Sequence, residues 1–375
     1  MAIKILFDSD IFDRQKFGGI SWYFTEVIKN LKTKANTKTT LPVVFTENLV
    51  LQDKKLTNKL INRLFYTKYT PQILIKKAPP RLNTTLTRYY LKQQNFDVFV
   101  PTYFDIDFLK YIGNKPFVLT VYDMLHEILP HYYLDDKHTV PQKLTLMEQA
   151  TRIIAISENT KKDIVKIYPH IDANKIDVVH LAQSLEIDEK VKIDLPKKYI
   201  LFVGYRMTYK NFICLFNAAK TLLKTDPDLY LICAGGYAFK PEEIKLFKNE
   251  GLSDKIIHKT FEVNELFYFY QNAQCFVFPS QYEGFGIPVL EAMACGCPVI
   301  LPRYSSFPEV AGEAGIYFEL NDEKGLEDNL KKVLENEDFR KAYITKGYAQ
   351  SGKFTWKKTA DECFEIFQKA VQNEY

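Results

Sequence analysis

Two carboxylates eight positions apart, Glu283 and Glu291, and two cations four apart, Arg206 and Lys210, are the groups in this 375-residue chain whose spacing could do chemistry together. Glu283 lies in Tyr282-Glu283-Gly284-Phe285-Gly286-Ile287-Pro288. Pro288 predicts a helix start there, because a proline's missing N–H would be unpaired in any case. Gly284 and Gly286 allow close backbone approach, and the bare amides of a helix start attract phosphate. The spacing predicts Glu283 in the loop and Glu291 in the first helical turn, both facing one crevice. Acids are unsuited to holding phosphate, but they accept hydrogen bonds from sugar and ribose hydroxyls. The competing reading has Glu291 complementing the helix dipole and Glu283 facing solvent. Arg206 and Lys210, in Gly204-Tyr205-Arg206-Met207-Thr208-Tyr209-Lys210-Asn211, follow an apolar strand and precede a helix. Fixed cations there fit a diphosphate, with plain surface cations as the alternative. Cations, helix amides and carboxylates together are what a nucleotide-sugar needs.

The elements that must position these loops alternate in type. Strands are predicted at Ile3–Asp8, Pro42–Thr46, Asp97–Pro101, Phe117–Tyr122, Arg152–Ser157 and Lys175–His180, with amphipathic helices such as Ser21–Leu31 and Glu158–Ile167 between them. A charged, helix-poor stretch, Glu186–Pro196, reads as a linker. A second alternation follows, with strands at Tyr199–Val203, Leu229–Cys233, Lys255–His258, Cys275–Pro279 and Pro298–Leu301. Helices are predicted between them at Phe212–Leu223, Pro241–Lys248, Asn264–Gln271 and Pro288–Ala294. The fold class is therefore α/β: two doubly wound, Rossmann-like parallel-sheet domains facing a cleft, over residues 1–187 and 188–375. The amphipathic stretch 355–375 is expected to cross back and pack on the first domain. Ligands of open parallel sheets sit at the carboxyl ends of strands, which is where both loops fall.

Val203-Gly204-x-Arg206-x-x-x-Lys210-Asn211 and the long run Pro279-Ser280-x-Tyr282-Glu283-Gly284-Phe285-Gly286-x-Pro288-x-x-Glu291-Ala292-Met293-Ala294-x-Gly296-x-Pro298-Val299 closely resemble family 4 retaining glycosyltransferases of GT-B fold. Further landmarks are Gly18-Gly19-Ile20, Thr120-Val121-Tyr122-Asp123-Met124, Ile156-Ser157-Glu158-x-Thr160, Ser305-Ser306-x-Pro308-Glu309 and Phe354-Thr355-Trp356. The resembling branch acts on bacterial surface polysaccharides, lipopolysaccharide included, and often carries mannosyltransferase labels. The resemblance implies that Arg206 and Lys210 hold the donor diphosphate and stabilise it as it leaves. It places Glu283 at the donor sugar, Glu291 on the ribose, Val263 and its neighbours at the base, and the amides of Phe285, Gly286 and Ile287 at the phosphates or sugar. Gly19 would belong to the first-domain loop closing on phosphates and acceptor, and Asp123 matches a catalytic position. Many relatives have His-Asp where this chain has Tyr122-Asp123; His126 lies nearby without a transferred role. The implied reaction is retaining transfer of a hexose from GDP-mannose or a UDP-hexose to a growing glycan or lipid-linked acceptor, with no metal and no cofactor. Rivals are a nucleotide-sugar epimerase on the same fold and an inactive membrane-associated partner.

Composition is that of a globular protein: 46% hydrophobic, 26% charged, and no apolar run near the roughly 20 residues that span a bilayer. The six cysteines form no C-x-x-C pair and read as reduced core residues, which predicts a cytoplasmic protein. Between Asp53 and Asp97 stand ten basic residues, Lys54 to Lys92, and no acid, interleaved with aromatic and aliphatic side chains. Such a stretch suits peripheral docking on an anionic membrane surface, with a merely solvated face as the alternative. Nucleic acid is not expected, since no nucleic-acid module pattern accompanies the charge. Asp8-Ser9-Asp10 has the form of a metal motif but lacks its context, so acidic turn residues are the expectation.

Overall fold

The computed structural model describes residues 2–44, 46–54, 56, 72–185, 192–206 and 208–372. Its contacts divide the chain into two compact units, Met1–Leu181 with Trp356–Tyr375, and Ala182–Thr355. The sequence-based boundary between 187 and 188 falls outside the described residues.

The first unit holds β1 (Ile3–Phe7), β2 (Thr37–Thr40), β3 (Val98–Val100), β4 (Val118–Val121), β5 (Arg152–Ala155) and β6 (Ile176–Val178). They form two parallel three-stranded groups, β2-β1-β3 and β4-β5-β6. A single parallel bridge, Phe99 to Phe117, joins them, with the Phe99 amide donating to the Pro116 carbonyl at 3.0 Å. Strand two differs from expectation: it is the threonine-rich Thr37–Thr40, not Pro42–Thr46. β-Branched side chains fit the pleat beside Ile3–Leu6, whereas Pro42 has no N–H for the ladder.

The second unit is one six-stranded parallel sheet of β7 (Lys198–Val203), β8 (Leu229–Ala234), β9 (Ile256–Lys259), β10 (Cys275–Val277), β11 (Val299–Pro302) and β12 (Gly315–Phe318). The spatial order is β12-β11-β10-β7-β8-β9. Strands covered by helices on both faces read as unbroken apolar runs, and β7 and β10 do so. Ile200, Phe202, Leu215, Leu231, Val277 and Ile300 meet in its core. Winding starts at β7, proceeds to β8 and β9, and resumes on the other side at β10. The order therefore reverses between β7 and β10, and a doubly wound sheet opens a ligand crevice at the carboxyl ends of such a pair. Helices Glu323–Glu335 and Glu337–Ser351 and strand β12, absent from the sequence-based element list, complete this unit.

Helix Trp356–Gln372 packs on helix Gly19–Leu31 of the first unit. Tyr23 and Cys363 lie 3.3 Å apart, Phe367 packs edge-on against Phe7, and the Thr359 hydroxyl donates to the His180 carbonyl at 2.7 Å. All six cysteines are buried and free. No described helix is long and apolar enough to cross a membrane.

Candidate active site

The loops leaving β7 and β10 meet at the point where the second sheet reverses. The Gln281 amide donates to the Tyr209 carbonyl at 2.7 Å, tying one loop to the other. Across that tie the Lys210 ammonium contacts the Glu283 carboxylate at 2.5 Å, both side chains being mostly buried. The Lys210 ammonium also lies 4.9 Å from the Phe278 ring centre and 5.1 Å from that of Tyr209, which adds cation–π attraction. The Glu283 backbone is braced from a third loop. Ser305 donates to its carbonyl at 2.6 Å, its amide donates to the same hydroxyl at 3.1 Å, and Ser306 bridges the Glu283 and Phe285 carbonyls at 2.9 and 2.8 Å.

Gly286 caps the helix Ile287–Ala294 with φ of +100°, a conformation that side-chain-bearing residues rarely adopt. The Phe285 ring is buried and packs edge-on against Phe354, so this residue offers the site its backbone only. Glu291 is the fifth residue of that helix and not in its first turn, which removes the helix-dipole reading of its charge. Its carboxyl accepts a hydrogen bond from Tyr270 at 3.3 Å, and burial pushes it up to about 7. The two carboxylates thus have separate partners, Glu283 a cation and Glu291 a phenol.

Arg206 departs from expectation. Its guanidinium is turned beneath the loop after β8. Nε donates to Glu243 at 2.7 Å, Nη2 donates to the Tyr237 and Ala238 carbonyls at 2.6 and 3.2 Å, and the group lies 4.7 Å over the Phe239 ring. No contact joins it to the Lys210–Glu283 pair among the described residues. Val263 opens a short 3₁₀ turn, Val263–Glu265, with its side chain outside what is described. Phe261 next to it packs on Gly235, where a Cβ would stand 3.0 Å from the ring.

In the first unit Gly19 begins the helix Gly19–Leu31, and Asp123 follows β4. The Asp123 carboxylate caps the Leu125 amide at 3.0 Å, while its backbone carbonyl accepts from the buried Lys143 at 3.0 Å. Tyr122 is buried and donates to the Thr102 carbonyl at 2.8 Å, a packing role. His126 is held by Asp136 at 3.3 Å and lies against Tyr133; Thr139 and His126 hold the Asp136 carboxyl down at about 2. Asp8 accepts from the Thr102 and Asp10 amides, and Asp10 pairs with Arg14 at 2.7 Å. Burial raises both carboxyls, Asp8 to about 7.

The family model described as glycosyl transferases group 1 matches residues 183–350, which is nearly the whole second unit. The second unit therefore carries a glycosyltransferase group 1 domain. Relatives include O-antigen chain mannosyltransferase B of Escherichia coli, 27% identical over 67% of this chain and 70% of that protein. Serotype-specific mannosyltransferase WbdA of the same organism is 29% identical over 66% of this chain, which spans about a third of its length (33%). Among solved structures, sucrose-phosphate synthase from Thermosynechococcus elongatus superposes with a TM-score of 0.73 at 15% identity over 99% of this chain and all of that one (100%). Anabaena HepE, in complex with UDP and glucose, gives 0.68 at 14% over 98% and 100%. These likenesses show the fold, two parallel α/β units of GT-B type.

In the glycosyltransferase, Lys210 and Glu283 come together as their loops predicted, whereas Arg206 and Glu291 take partners that sequence reasoning missed. Glu243 is 37 residues from Arg206 and Tyr270 is 21 from Glu291. Neither pair carries a local spacing signal. Ser305 and Ser306 did carry one, as a landmark without an assigned task.

Proposed function

We propose that the chain is a retaining hexosyltransferase that moves mannose from a nucleotide-sugar, GDP-mannose before a UDP-hexose, to a growing glycan or lipid-linked oligosaccharide in surface-polysaccharide synthesis. The observation that carries this reading is the Lys210–Glu283 pair at the reversal of the second sheet. The names of the mannosyltransferase relatives support the sugar and the product class. Neither the epimerase nor the inactive-partner alternative has an observation in its favour.

A paired lysine and glutamate can divide the charge of transfer between them. As the bond from the anomeric carbon to the diphosphate breaks, negative charge grows on the leaving group and positive charge on the sugar. Lys210 shifts toward the first, and Glu283, freed of its partner, faces the second. The acceptor hydroxyl adds on the face the diphosphate leaves, and its proton passes to a departing phosphate oxygen. The proton inventory then closes with no separate base and no metal. Glu291 accepts the ribose hydroxyls, and the Phe285–Ile287 backbone supports the phosphates. In the first unit Gly19 and Asp123 would serve the acceptor side.

Docking on the cytoplasmic face of an anionic membrane belongs to the same proposal. Residues 57–71 of the basic stretch lie outside those described. Helix Gln72–Gln93 presents exposed Leu82, Tyr89 and Tyr90 beside exposed Arg81 and Lys92. Apolar and basic groups on one helix surface suit acidic lipid.

A panel of nucleotide-sugars screened for thermal stabilisation identifies the donor, since a specific ligand raises Tm by mass action. With that donor, Lys210→Ala and Glu283→Ala are expected to stay folded and lose transfer, and wild type is expected to work in chelator. Full turnover by both variants would overturn the site. Complete loss in chelator, restored by metal, would overturn metal independence.

A further inference from the structure

Arg206 makes more protein contacts than a residue kept only for a ligand needs. Glu243 sits in the first turn of helix Pro241–Asn249, with one carboxylate oxygen accepting from Arg206 Nε at 2.7 Å. The other oxygen accepts from the Lys240 amide at 2.8 Å, closing the helix cap. Its rotamer is thereby fixed from two sides. The Arg206 side chain is only 5% exposed, with Phe239 beneath the guanidinium and Phe239 itself packed edge-on against Phe247. The Tyr237 and Ala238 carbonyls take Nη2. Nη1 alone has no acceptor among the described residues, and it is shielded from solvent.

A buried charged donor without an acceptor is costlier than an ordinary lost hydrogen bond. Pulling the whole guanidinium away from Glu243 would break a buried pair, which is costlier still. The arrangement that satisfies Nη1 while keeping the other bonds is one in which an anion comes to Arg206. The loop carrying Arg206 leaves β7, the strand at the sheet reversal, four residues before Lys210.

We propose that Glu243 is a positioning residue for transfer. With Phe239 and the 237–238 carbonyls it fixes the Arg206 guanidinium so that Nη1 is left for an oxygen of the donor diphosphate. This rests on the donor-site reading above and adds to it a division of labour. Lys210 follows the moving charge, while Arg206 is a fixed anchor that Glu243 keeps in register. Glu243 itself touches no substrate.

The test compares wild type, Glu243→Gln, Glu243→Ala and Lys210→Ala, each first checked for folding by circular dichroism and thermal melting. Inhibition constants are measured for GDP, UDP, guanosine and uridine. Glu243→Gln keeps the volume and one acceptor but not the charge, and Glu243→Ala loses all three. Loss of one positioned charge-assisted bond is expected to weaken the preferred nucleoside diphosphate about tenfold in the alanine variant and less in the glutamine variant. The free nucleoside should bind as in wild type, and donor KM should rise more than kcat falls. A merely structural role would lower the melting temperature and leave the diphosphate-to-nucleoside ratio alone, which overturns the proposal. So does tighter diphosphate binding in Glu243→Gln, which would mean that Glu243 only neutralises Arg206. If Ala fails to fold, the Gln ratio decides. Weakening by Lys210→Ala but not by the Glu243 variants overturns the positioning role alone. No weakening by Lys210→Ala, or no nucleoside diphosphate bound by wild type, overturns the donor-site reading with it.

Discussion

Glu291 carries its proton up to about 7 because burial disfavours the charge, an effect that the hydrogen bond donated by Tyr270 only partly offsets. Below its ordinary 4.5 the carboxyl is neutral in folded and unfolded chains alike, and it is neutral at no cost. Between 4.5 and about 7 the unfolded chain releases the proton and the folded chain keeps it, so stability falls as pH rises through that window. Above it the cost levels off at roughly 3 kcal/mol, by the usual conversion of pKa difference into free energy. Asp8 and Asp13, raised by burial to about 7 and about 6, act in the same direction. A difference between variant and wild type isolates Glu291. Glu291→Gln should melt with wild type at pH 4.5 and several degrees higher at pH 8, while binding nucleotide more weakly. Parallel melting profiles across that range would refute the assignment. Ribose hydroxyls that donate to the ionised carboxylate would also draw its proton off, so nucleotide binding near pH 6 should release protons into the buffer. At this scale the sequence shows types and loop positions, which sufficed for Lys210 and Glu283 because their loops leave adjacent strands. It does not show which way a long side chain turns. Arg206 reaches Glu243 through the packing of the β8 loop, a path that no spacing along the chain encodes.

The turn after β4 gives the same lesson for elements. Lys143, on helix Thr139–Gln149, is almost fully buried, with its ammonium 2.8 Å from Glu127 and 3.0 Å from the Asp123 carbonyl. It ties that helix to the turn carrying Asp123, and the Phe104 ring 5.6 Å away adds a cation–π contact. Lys143→Met fits the space of the stem but leaves Glu127 buried without its cation, which costs about 3–5 kcal/mol. Urea unfolding should show that loss, and adding Glu127→Gln should recover much of it by removing the stranded charge. A loss unchanged in the double variant would mean that packing, not charge, is what Lys143 supplies. Elements themselves were legible where apolar runs were long, as in Lys198–Val203 and Leu229–Ala234. They were not where the pattern is weak: Thr37–Thr40 is a strand without a single aliphatic residue, made by its pairing with β1. Helix Glu337–Ser351 buries Gly347, Gln350 and Ser351 with little apolar periodicity, so its sequence reads as surface. Close approach explains part of that. A Cβ on Gly347 would lie 3.4 Å from Met293, the kind of contact that a hydrophobicity pattern cannot display.

At the scale of the whole molecule, the path of the chain decides what can be cut. Residues Ala182–Thr355 form one unit, yet the segment that follows them returns to the first. Helix Trp356–Gln372 covers Phe7 and Tyr23 with Phe367, Trp356 and Cys363, and Lys34 pairs with Asp361 at its edge. The amphipathic pattern of residues 355–375 pointed to such a return, because a stripe of apolar groups that wide must be covered by something. Removing the helix uncovers at least two aromatic side chains, Phe7 and Tyr23, and burial of each contributes about 1.5–3 kcal/mol. Domains of this size have only about 5–15 kcal/mol of net stability. A chain ending at Thr355 should therefore keep a folded second unit and lose the first. Its melt should show one early transition and one near the wild-type temperature, with protease cutting first within 2–181. Supplying Trp356–Gln372 as a separate peptide should restore protection to that region and leave the second unit's melting unchanged. Equal protease resistance with and without the helix would mean that the first unit's core closes without it. The returning helix would then be a surface strap, and not part of the fold.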